Sequence, residues 1–573
     1  MTARALDSRF NSRLRDLVRS DGVARMWCAG HEIVRRIFVT VRDEDWKEVP
    51  PTHWSSEIDE AQCIATLTAR HVSDSVDFEW KGVLRVGDDL RSLQFQIVGK
   101  TLRDMQVCRL GLVVLHPVEQ MIGSQLMAIG PQAGHRLTAG GTISPQPVVD
   151  GTPLAMTEPF SKLVVERADF GRLEFQFEGD LFELEDQRNW GDVSFKTYCT
   201  PLRLGFPRSL KAGASIAQSV EVRFRPSEAK ALRAVVSPGT QSGIFPRIGR
   251  EWRRPVSDLL PWDHVFFEVD SSARVTALRA SLESSSSTKL TIGFEVVEDS
   301  PSPEILALLS AHRKRISCLV LYGPGASLPS AAKVERWRGR LEEAGVEDNM
   351  PLLAGTRGYF VEFNRGLPFD AAASGLAFPL TATVHSDDAE TIGENVPAIR
   401  SMVDAARDLT EVARVCVIPL ALYHPRSLSP QKFPADLIAP WLAATLVYAA
   451  QGRVAFVTLA EDVLESIDAS RLSSSSLISQ LLECAGLEVV LLGNKLAPGL
   501  HAGLFKARSP AQNRVLAANL NPQAVAISLP QLGFDAKAAL NAVTGESIEL
   551  NTGRLDIPGF SVAWIEVSEK DSK

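Results

Sequence analysis

The chain has 573 residues, which is enough for several domains that each bury a core of their own. Hydrophobic residues make up 45% of it and charged residues 23%, as in ordinary globular proteins, and the net charge of -8 gives no electrostatic reason to expect a nucleic-acid partner. The seven cysteines are scattered without a C-x-x-C pair, which argues against a disulfide framework or a zinc site and predicts a cytoplasmic location.

We expect neither a secretory signal nor a membrane span. The segment MTARALDSRFNSRLRDLVRSDG mixes arginine with aspartate and lacks an apolar stretch. The most apolar predicted helix, ADLIAPWLAATLVYAA, contains Asp436 and Pro440 and is shorter than the ~18 residues of a membrane span. We therefore interpret it as a buried helix.

Residues 1–236 read mostly as strands. Apolar and polar side chains alternate in segments such as IFVTVRD, FEWKGVLRV and RLEFQFEG, and Gly, Pro and Asp fill the gaps between them. This pattern predicts an N-terminal antiparallel β-sandwich domain.

From residue 237 to 486, strand patterns alternate with helical patterns, which predicts a central (β/α)8 TIM barrel as the catalytic domain. Whether SGIFPRIG is the first strand or only leads into it is left open. Residues 487–573 return to strand patterns and predict a small C-terminal β domain. The eight predicted barrel strands are SGIFPRIG, DHVFFEVD, KLTIGFEVVE, SCLVLYG, LAGTRGYFVEFN, LAFPLTATVHS, ARVCVIPLALYH and RVAFVTLAED.

Several familiar catalytic motifs are absent from the sequence. It has no G-x-S-x-G elbow for a serine nucleophile and no HExxH metal motif. We predict no cofactor and assign no metal ligand.

In a TIM barrel the working side chains come from the carboxyl ends of the strands and the loops that follow. In GTRGYFVEFNR, strand alternation would place Glu362 and Asn364 on one side of a strand. His385 can exchange protons near neutral pH, and either Asp387 or Asp388 is expected to cap the next helix. The candidates from strand ends are Glu268, Glu295, Tyr322, Glu362, Asn364, His385, Asp387 and Glu461, the last of which ends the eighth predicted strand.

The segment ELEDQRNWGDVSFKTY, residues 183–198, gathers charged side chains with aromatic ones. One interpretation is a loop that reaches the barrel mouth and helps to form a sugar site; the alternative is a polar network at a domain interface that never contacts ligand. Its candidate ligands are Glu185, Arg188, Asn189, Trp190, Lys196 and Tyr198.

These barrel segments, together with RLGLVVLHP, PRIGREW and EDQRNWGDVSFKTYCTPL, resemble the D-apionate lactonase family. The resemblance implies an N-terminal domain, a TIM barrel and a C-terminal domain, and the opening of D-apionolactone to D-apionate in bacterial use of apiose. The sequence departs from the family pattern at Arg357, where an asparagine is expected, in ATVHSDD, and in LAED at the end of the last strand. These changes surround the expected pocket, so the substrate could differ.

Lactone hydrolysis needs an activated water, a site for the oxyanion and a proton for the leaving alkoxide. We assign Glu362 as the general base and His385 as the acid or electrophile, with Arg357 or Lys196 beside the oxyanion. Glu461 could exchange roles with Glu362. The expected partner is a small-molecule sugar lactone, and homo-oligomer formation is left open.

Two other classes of function stay open. If DHVFFEVD were the first barrel strand and LEVVLLG the eighth, Glu362 would lie on the fourth and Glu461 on the seventh, as in a large clan of retaining glycoside hydrolases. The other class is a noncatalytic carbohydrate-binding relative.

Overall fold

The computed structural model describes residues 14–569 in two compact units. Of the described residues, 14–188 and 193–227 belong to the first unit, and 189–192 and 242–569 belong to the second. The positions within 14–569 that lie outside the described residues are 88, 90, 132–133, 228–241, 253–259, 285–287, 296–299, 347–349, 367–372, 386–387, 411–413, 424–432, 470–473, 493–495, 508–511 and 552.

The first unit is built from antiparallel strands. One sheet has the order β1-β2-β3-β8-β16-β15 with β17 beside β8, the other has the order β10-β9-β13-β14-β18-β7-β6-β5-β4, and β11 pairs with β12. The strands are β1 (Val18–Arg19), β2 (Gly22–Cys28), β3 (His31–Asp43), β4 (Pro51–Asp59), β5 (Ile64–Val72), β6 (Asp77–Val86), β7 (Ser92–Thr101), β8 (Met105–Pro117), β9 (Gln125–Ile129), β10 (Gly134–Thr138), β11 (Val148–Val149), β12 (Thr152–Pro153), β13 (Lys162–Arg167), β14 (Gly171–Glu178), β15 (Glu183–Asp186), β16 (Ser194–Tyr198), β17 (Arg208–Leu210) and β18 (Ser215–Pro226). Short helices lie at α1 (Val118–Met121) and, as 3-10 turns, at Leu14–Asp16, Gln187–Trp190 and Leu202–Leu204.

The alternation of apolar and polar residues explains this unit. In β5, Leu67 and Ala69 are buried while Thr68 and Arg70 are exposed, because successive side chains of a strand point to opposite faces. Both sheets contribute to one hydrophobic core, for example Leu112 from the first sheet and Phe95 from the second. These antiparallel sheets agree with the predicted β-rich N-terminal domain.

The second unit contains a closed barrel of parallel strands, which confirms the TIM-barrel prediction. Each strand from β20 to β27 pairs with the next, and β27 returns to pair with β20. The strands are β20 (Arg247–Glu251), β21 (His264–Val269), β22 (Lys289–Glu295), β23 (Ile316–Tyr322), β24 (Leu352–Gly355), β25 (Gly375–Thr383), β26 (Val415–Tyr423) and β27 (Phe456–Leu459).

Helices follow the barrel strands and cover them. Among the described residues, they are α2 (Ser272–Glu283), α3 (Pro303–Ala311), α4 (Ala331–Glu343), α5 (Phe360–Arg365), α6 (Ala389–Asn395), α7 (Ala398–Thr410), α8 (Ile438–Gln451), α9 (Glu461–Ala469) and α10 (Ser474–Glu483), with 3-10 turns at Arg313–Arg315 and Ala435–Leu437. Leu278, Leu309 and Trp337 from α2, α3 and α4 share a core with the outer faces of β21–β23. Side chains such as Val320 and Ile418 form a separate cluster.

The fifth barrel strand ends earlier than predicted. It covers only Leu352–Gly355, and Phe360–Arg365 form α5, so the prediction that Glu362 and Asn364 alternate along a strand is wrong. The Thr356 hydroxyl accepts a hydrogen bond from the Gly358 N–H at 2.9 Å and turns the chain. Phe360 and Phe363 then meet at helical spacing, 5.4 Å between ring centroids.

The eighth strand also ends before the residue that was predicted to close it. It stops at Leu459, and Glu461 is the first residue of α9. Glu461 nevertheless lies at the carboxyl edge of the barrel, because it follows the strand by two positions.

The segment SGIFPRIG divides between two sheets. Its residues Ser242–Ile244 form β19, which pairs outside the barrel with β28 (Glu488–Leu491), whereas Arg247, Ile248 and Gly249 begin β20, the first barrel strand. LEVVLLG contains β28, so it is not the eighth barrel strand. Glu362 therefore follows the fifth strand and Glu461 the eighth, and the fourth-and-seventh placement is wrong.

The chain ends in an antiparallel sheet with the order β19-β28-β29-β30-β34-β32 and a separate pair, β31-β33. This sheet belongs to the same compact unit as the barrel, and α8 packs against it. The predicted boundaries at 236/237 and 486/487 stay predictions. The elements are β28 (Glu488–Leu491), β29 (Leu500–Lys506), β30 (Arg514–Asn519), β31 (Val525–Ser528), α11 (Leu529–Leu532), β32 (Phe534–Asn541), β33 (Arg554–Ile557) and β34 (Ser561–Glu569).

None of the helices in the described ranges is both long enough and apolar enough to cross a membrane.

Candidate active site

The carboxyl edge of the barrel gathers most of the side chains predicted from strand ends. Parallel strands all end at the same edge, so residues at or just beyond those ends lie on one rim. The residues on this rim are Glu251 at the end of β20, Glu268 near the end of β21, Glu295 at the end of β22, Tyr322 at the end of β23, Arg357 after β24, His385 after β25 and Glu461 after β27.

Arg357 contacts side chains from three neighbouring strands of this rim, β21, β22 and β23. Its Nε donates to Glu268 Oε1 at 2.5 Å, and its Nη1 donates to Glu295 Oε2 at 3.0 Å. The guanidinium lies over the Tyr322 ring, with Cζ 4.7 Å from the centroid. Two charge-assisted hydrogen bonds and an aromatic face hold the cation in one orientation.

Tyr322 stays protonated at neutral pH in this setting. Its side chain is buried at the end of β23, and burial raises the pKa of its phenol well above the ordinary value, with a further increase from the charge of Glu268. Tyr322 can therefore donate a hydrogen bond but does not act as a base.

Four residues from the segment between β15 and β16 belong to the barrel unit. Asn364 Nδ2 on α5 donates a hydrogen bond to Asn189 Oδ1, and both residues are buried. The Trp190 ring lies 5.5 Å from the Tyr359 ring and 5.5 Å from the His385 ring. Residues 189–192 thus contact both α5 and the turn after β25.

Asp192 and His385 form a hydrogen-bonded pair within this group. His385 Nδ1 lies 2.5 Å from Asp192 Oδ2, and both side chains are more than four-fifths buried. The other carboxylate oxygen, Oδ1, accepts a hydrogen bond from Asn395 Nδ2 at 2.7 Å. The carboxylate is thereby oriented by α6 and in turn orients the imidazole.

The backbone around this pair is shaped for it. Gly191 has a φ of +86°, a conformation that a side chain disfavours, and it directly precedes Asp192. On the other side, Asp388 is the N-cap of α6 and accepts a hydrogen bond from the Thr391 N–H, which matches one of the two predicted alternatives. Asp387, the other predicted residue, lies outside the described residues.

The acids of the last helix have different roles. The Glu461 N–H donates to Glu251 Oε2 at 3.3 Å, so the two acids are neighbours on the rim. Asp462 Oδ2 accepts hydrogen bonds from the backbone N–H groups of Leu422 and Tyr423, both at 3.1 Å. Asp462 therefore supports the end of β26, and Glu461 is the residue placed at the rim.

Glu362 lies on α5 with its side chain against the turn before the helix. A Cβ added at Gly358 would lie 2.9 Å from Glu362 Cγ. The glycine therefore makes room for the predicted base.

The other four candidates from residues 183–198 lie in the first unit and interact within it. Arg188 is 1% exposed, pairs with both oxygens of Asp186 and donates to the carbonyls of residues 140 and 141. Lys196 Nζ donates to Gln187 Oε1 at 3.3 Å, Glu185 accepts from Gln146, and Tyr198 lies under the Arg109 guanidinium at 3.6 Å. Substrate contact by these four stays a prediction.

Sequence reasoning overlooked four residues of this site, namely Asp192, Asn395, Tyr359 and Glu251. Asp192 and Glu251 lie inside segments that carried the family resemblance, so a polar residue next to Gly191 and a strand-ending acid in PRIGREW were the available signals. Nothing in the local pattern around Asn395 indicates that it reaches Asp192.

Among the described residues, no group of three or more His, Cys, Asp or Glu side chains is arranged to hold a metal ion.

Comparisons with known proteins identify related domains. The N-terminal domain of D-apionate lactonase matches residues 9–227, and the TIM barrel domain of D-apionate lactonase matches residues 306–427. A D-apionate lactonase from Brucella anthropi is 28% identical over 236 residues, a match that covers 38% of this chain and only 36% of that protein.

Two solved structures are similar over most of the chain. An arabinose-bound GH51 α-L-arabinofuranosidase is 10% identical, covers 93% of this chain and 94% of its own, and has a TM-score of 0.33. A GH36 α-galactosidase from Geobacillus stearothermophilus is 9% identical, covers 93% and 89%, and has a TM-score of 0.22. These TM-scores are too low for the likeness to bear on fold or function.

The two domain matches together span more than half of the 573 residues. The chain therefore belongs to the D-apionate lactonase family.

Proposed function

We propose that this protein hydrolyses the lactone of a sugar acid, with D-apionolactone as the first substrate to test and D-apionate as its product. The observation that supports this most strongly is the Asp192–His385 pair beside the barrel rim. One partner lies in the part matched by the family's N-terminal domain and the other in the part matched by its barrel domain.

The pair supplies a base for water. A hydrogen bond from Nδ1 to a carboxylate favours the neutral tautomer that keeps the proton on Nδ1 and a lone pair on Nε2. Asp192 also stabilises the imidazolium that forms when His385 takes a proton from the attacking water. We therefore assign His385 as the general base in this proposal, whereas the residue pattern alone had suggested Glu362.

Hydrolysis then proceeds in two proton transfers. Water loses a proton to His385 as its oxygen bonds to the lactone carbonyl carbon, and the carbonyl oxygen becomes an oxyanion. When that intermediate collapses, the bond between the carbonyl carbon and the ring oxygen breaks, and His385 returns its proton to the departing alkoxide. The products are a carboxylic acid, which ionises in solution, and a free hydroxyl.

Arg357 is the cation that we assign to the developing negative charge. Its fixed position between Glu268 and Glu295 means that little reorganisation is needed during the reaction. Tyr322, Glu461 and Glu251 line the same rim and can bind the hydroxyl groups of a sugar. Glu362 and Glu461 remain the alternative carboxylate bases.

The glycoside hydrolase alternative depended on Glu362 lying on the fourth strand and Glu461 on the seventh, but these residues follow the fifth and eighth strands. An activity measurement distinguishes the proposed lactonase from a noncatalytic carbohydrate-binding protein. The decisive experiment offers the purified protein a panel of aldonolactones, D-apionolactone included, beside chromogenic glycosides, and follows acid release at constant pH with and without a chelator.

The proposal predicts one equivalent of acid per lactone and no glycoside cleavage. His385→Gln should remove the activity while the protein stays folded, and Gln62→Ala, an exposed substitution in the first unit, is the matched control. Glycoside cleavage without lactone opening, or sugar binding without turnover, would overturn the proposal.

A further inference from the structure

We propose that the outer edge of β4 pairs with the same edge of a second copy of this chain, so that the protein is a two-fold symmetric dimer. In the sheet as described, β4 is the terminal strand and pairs with β5 alone. The unpaired N–H and C=O groups of such an edge are a template for another strand.

The side chains of β4 are unusually exposed for a strand of nine residues. Trp54 is 53% exposed, and the strand is open to solvent from Thr52 to Ser55. Trp54 nevertheless points to the same face as Ala69 and Trp80, which are buried opposite it along the sheet. Trp54 is therefore a half-exposed aromatic side chain on the core-facing side of the sheet, and a second copy paired with β4 would cover it.

The sequence of β4 is complementary to itself in antiparallel register. With a two-fold axis at Ser55, His53 lies opposite Glu57 of the other copy, and Trp54 lies opposite Ser56. The imidazole–carboxylate pair occurs twice by symmetry. In the described part of the chain neither His53 nor Glu57 takes part in an ion pair, and the pairing between copies would place an imidazole opposite a carboxylate that can form a hydrogen bond with it.

The same register covers the exposed indole. Residues that lie directly opposite each other in an antiparallel pair point to the same face, so Trp54 from each copy flanks the axis on the core-facing side. The two tryptophans are then diagonal neighbours whose backbone positions are roughly 7–8 Å apart, a gap that aromatic side chains can bridge. A closed two-fold interface also leaves no β4 edge open for further growth.

The inference does not depend on the proposed chemistry, and its test measures assembly alone. Ser55 meets its own symmetry mate only in this register, so Ser55→Cys should form a covalent dimer under mild oxidation in a Cys63→Ser background. Thr68→Cys is the matched control. It lies opposite Ser55 on the same face, one strand further from the edge, and its symmetry mate is too far away for a disulfide.

A charge exchange provides the second arm, measured by sedimentation at equal protein concentration. Wild type should be a dimer, Glu57→Arg should be a monomer because arginine removes the carboxylate that faces His53 and puts a bulky cation in its place, and the double variant His53→Glu with Glu57→Arg should be a dimer again. A monomeric wild type, a dimer that Glu57→Arg leaves unchanged, or cross-linking no greater at position 55 than at position 68 would overturn the inference. Lactonase activity of either form does not affect this outcome.

Discussion

Asp192 and His385 are 193 positions apart in the chain, yet their side chains meet at 2.5 Å. The carboxylate comes from the segment between β15 and β16, and the imidazole comes from the turn after the sixth barrel strand. The family's two matched domains therefore each supply one member of the pair. The polar, aromatic segment at residues 183–198 thus contains residues that belong to the first unit and residues that belong to the second unit.

Arg188 belongs to the first unit and is predicted to stabilise it, whereas Asp192 belongs to the second unit with the barrel. Arg188→Ala would leave the buried Asp186 carboxyl without its cation. Burial raises the pKa of that carboxyl and Arg188 lowers it, so the substitution removes the group that favours its charged form. We expect a loss of about 3–5 kcal/mol in the free energy of unfolding, measured by urea denaturation. Removing both charges together, with Asp186→Asn and Arg188→Met, should cost less. Lost turnover at unchanged stability would instead show that Arg188 contacts substrate.

Asn395 is predicted to act through Asp192. Asn395→Ala removes the hydrogen bond to Asp192 Oδ1 and leaves that carboxylate less firmly oriented. We expect kcat to fall by about tenfold with little change in KM, because proton transfer is affected more than binding. Asn395→Asp offers no amide donor and should not restore the rate. An equal rise in KM at constant kcat would contradict this role.

Gly358 is predicted to be required by α5. A Cβ there would lie 2.9 Å from both Ala326 Cβ and Glu362 Cγ, so Gly358→Ala should displace the helix and cost about 1–3 kcal/mol. Gly339 in α4 is the matched control, since a Cβ there meets nothing within 4 Å. Gly339→Ala should stabilise the protein by about 0.5–1 kcal/mol. Thermal unfolding of the two variants against wild type measures both effects, and equal stability of Gly358→Ala would contradict the packing.

Buried histidines predict that the protein loses stability in acid. Burial lowers the pKa of His116 to about 3 and that of His501 to about 4, and it also lowers the pKa values of His71 and His264. Below pH 6.5, the ordinary pKa of histidine, these side chains bind protons in the unfolded chain but stay neutral in the folded chain. Unfolding is therefore favoured as pH falls.

Each of these histidines contributes up to about 1.4 kcal/mol per pH unit between 6.5 and its folded pKa. Urea midpoints measured from pH 7.5 downward should therefore decrease. His501→Gln should reduce the slope, and His135→Asn, at an exposed position, should leave it unchanged. Stability that is constant or increases toward pH 5 would contradict this reading.

The barrel could be predicted from the sequence because its strands are short apolar runs separated by helical patterns. The candidate acids at Glu268, Glu295 and Glu461 followed from that, since the carboxyl edge of a barrel is known once the strands are known. Prediction failed at FVEFNR, where aromatic residues and a valine suit either a strand or a short helix. The turn made by Thr356 and Gly358 decides between them, and its hydrogen bond cannot be read from residue types alone.

The Asp192–His385 contact lay beyond sequence reasoning for a different reason. Local periodicity describes neighbours within one element, whereas this pair joins elements 193 positions apart. The composition of residues 183–198 indicated a functional segment. The candidates chosen from it included Glu185, Arg188 and Lys196 but not Asp192, which follows Gly191. Only the fold separates the residues that stabilise the first unit from those that belong with the barrel.

The most direct test of the central claim is kcat for lactone opening by Asp192→Asn, measured across pH beside wild type, with the melting temperature as the control for folding. Asparagine keeps the size of the side chain but cannot stabilise the imidazolium of His385 or hold its reactive tautomer. We predict a fall in kcat of about 10²–10⁴ with the melting temperature nearly unchanged. An Asp192→Asn enzyme that opens the lactone at the wild-type rate would contradict the account.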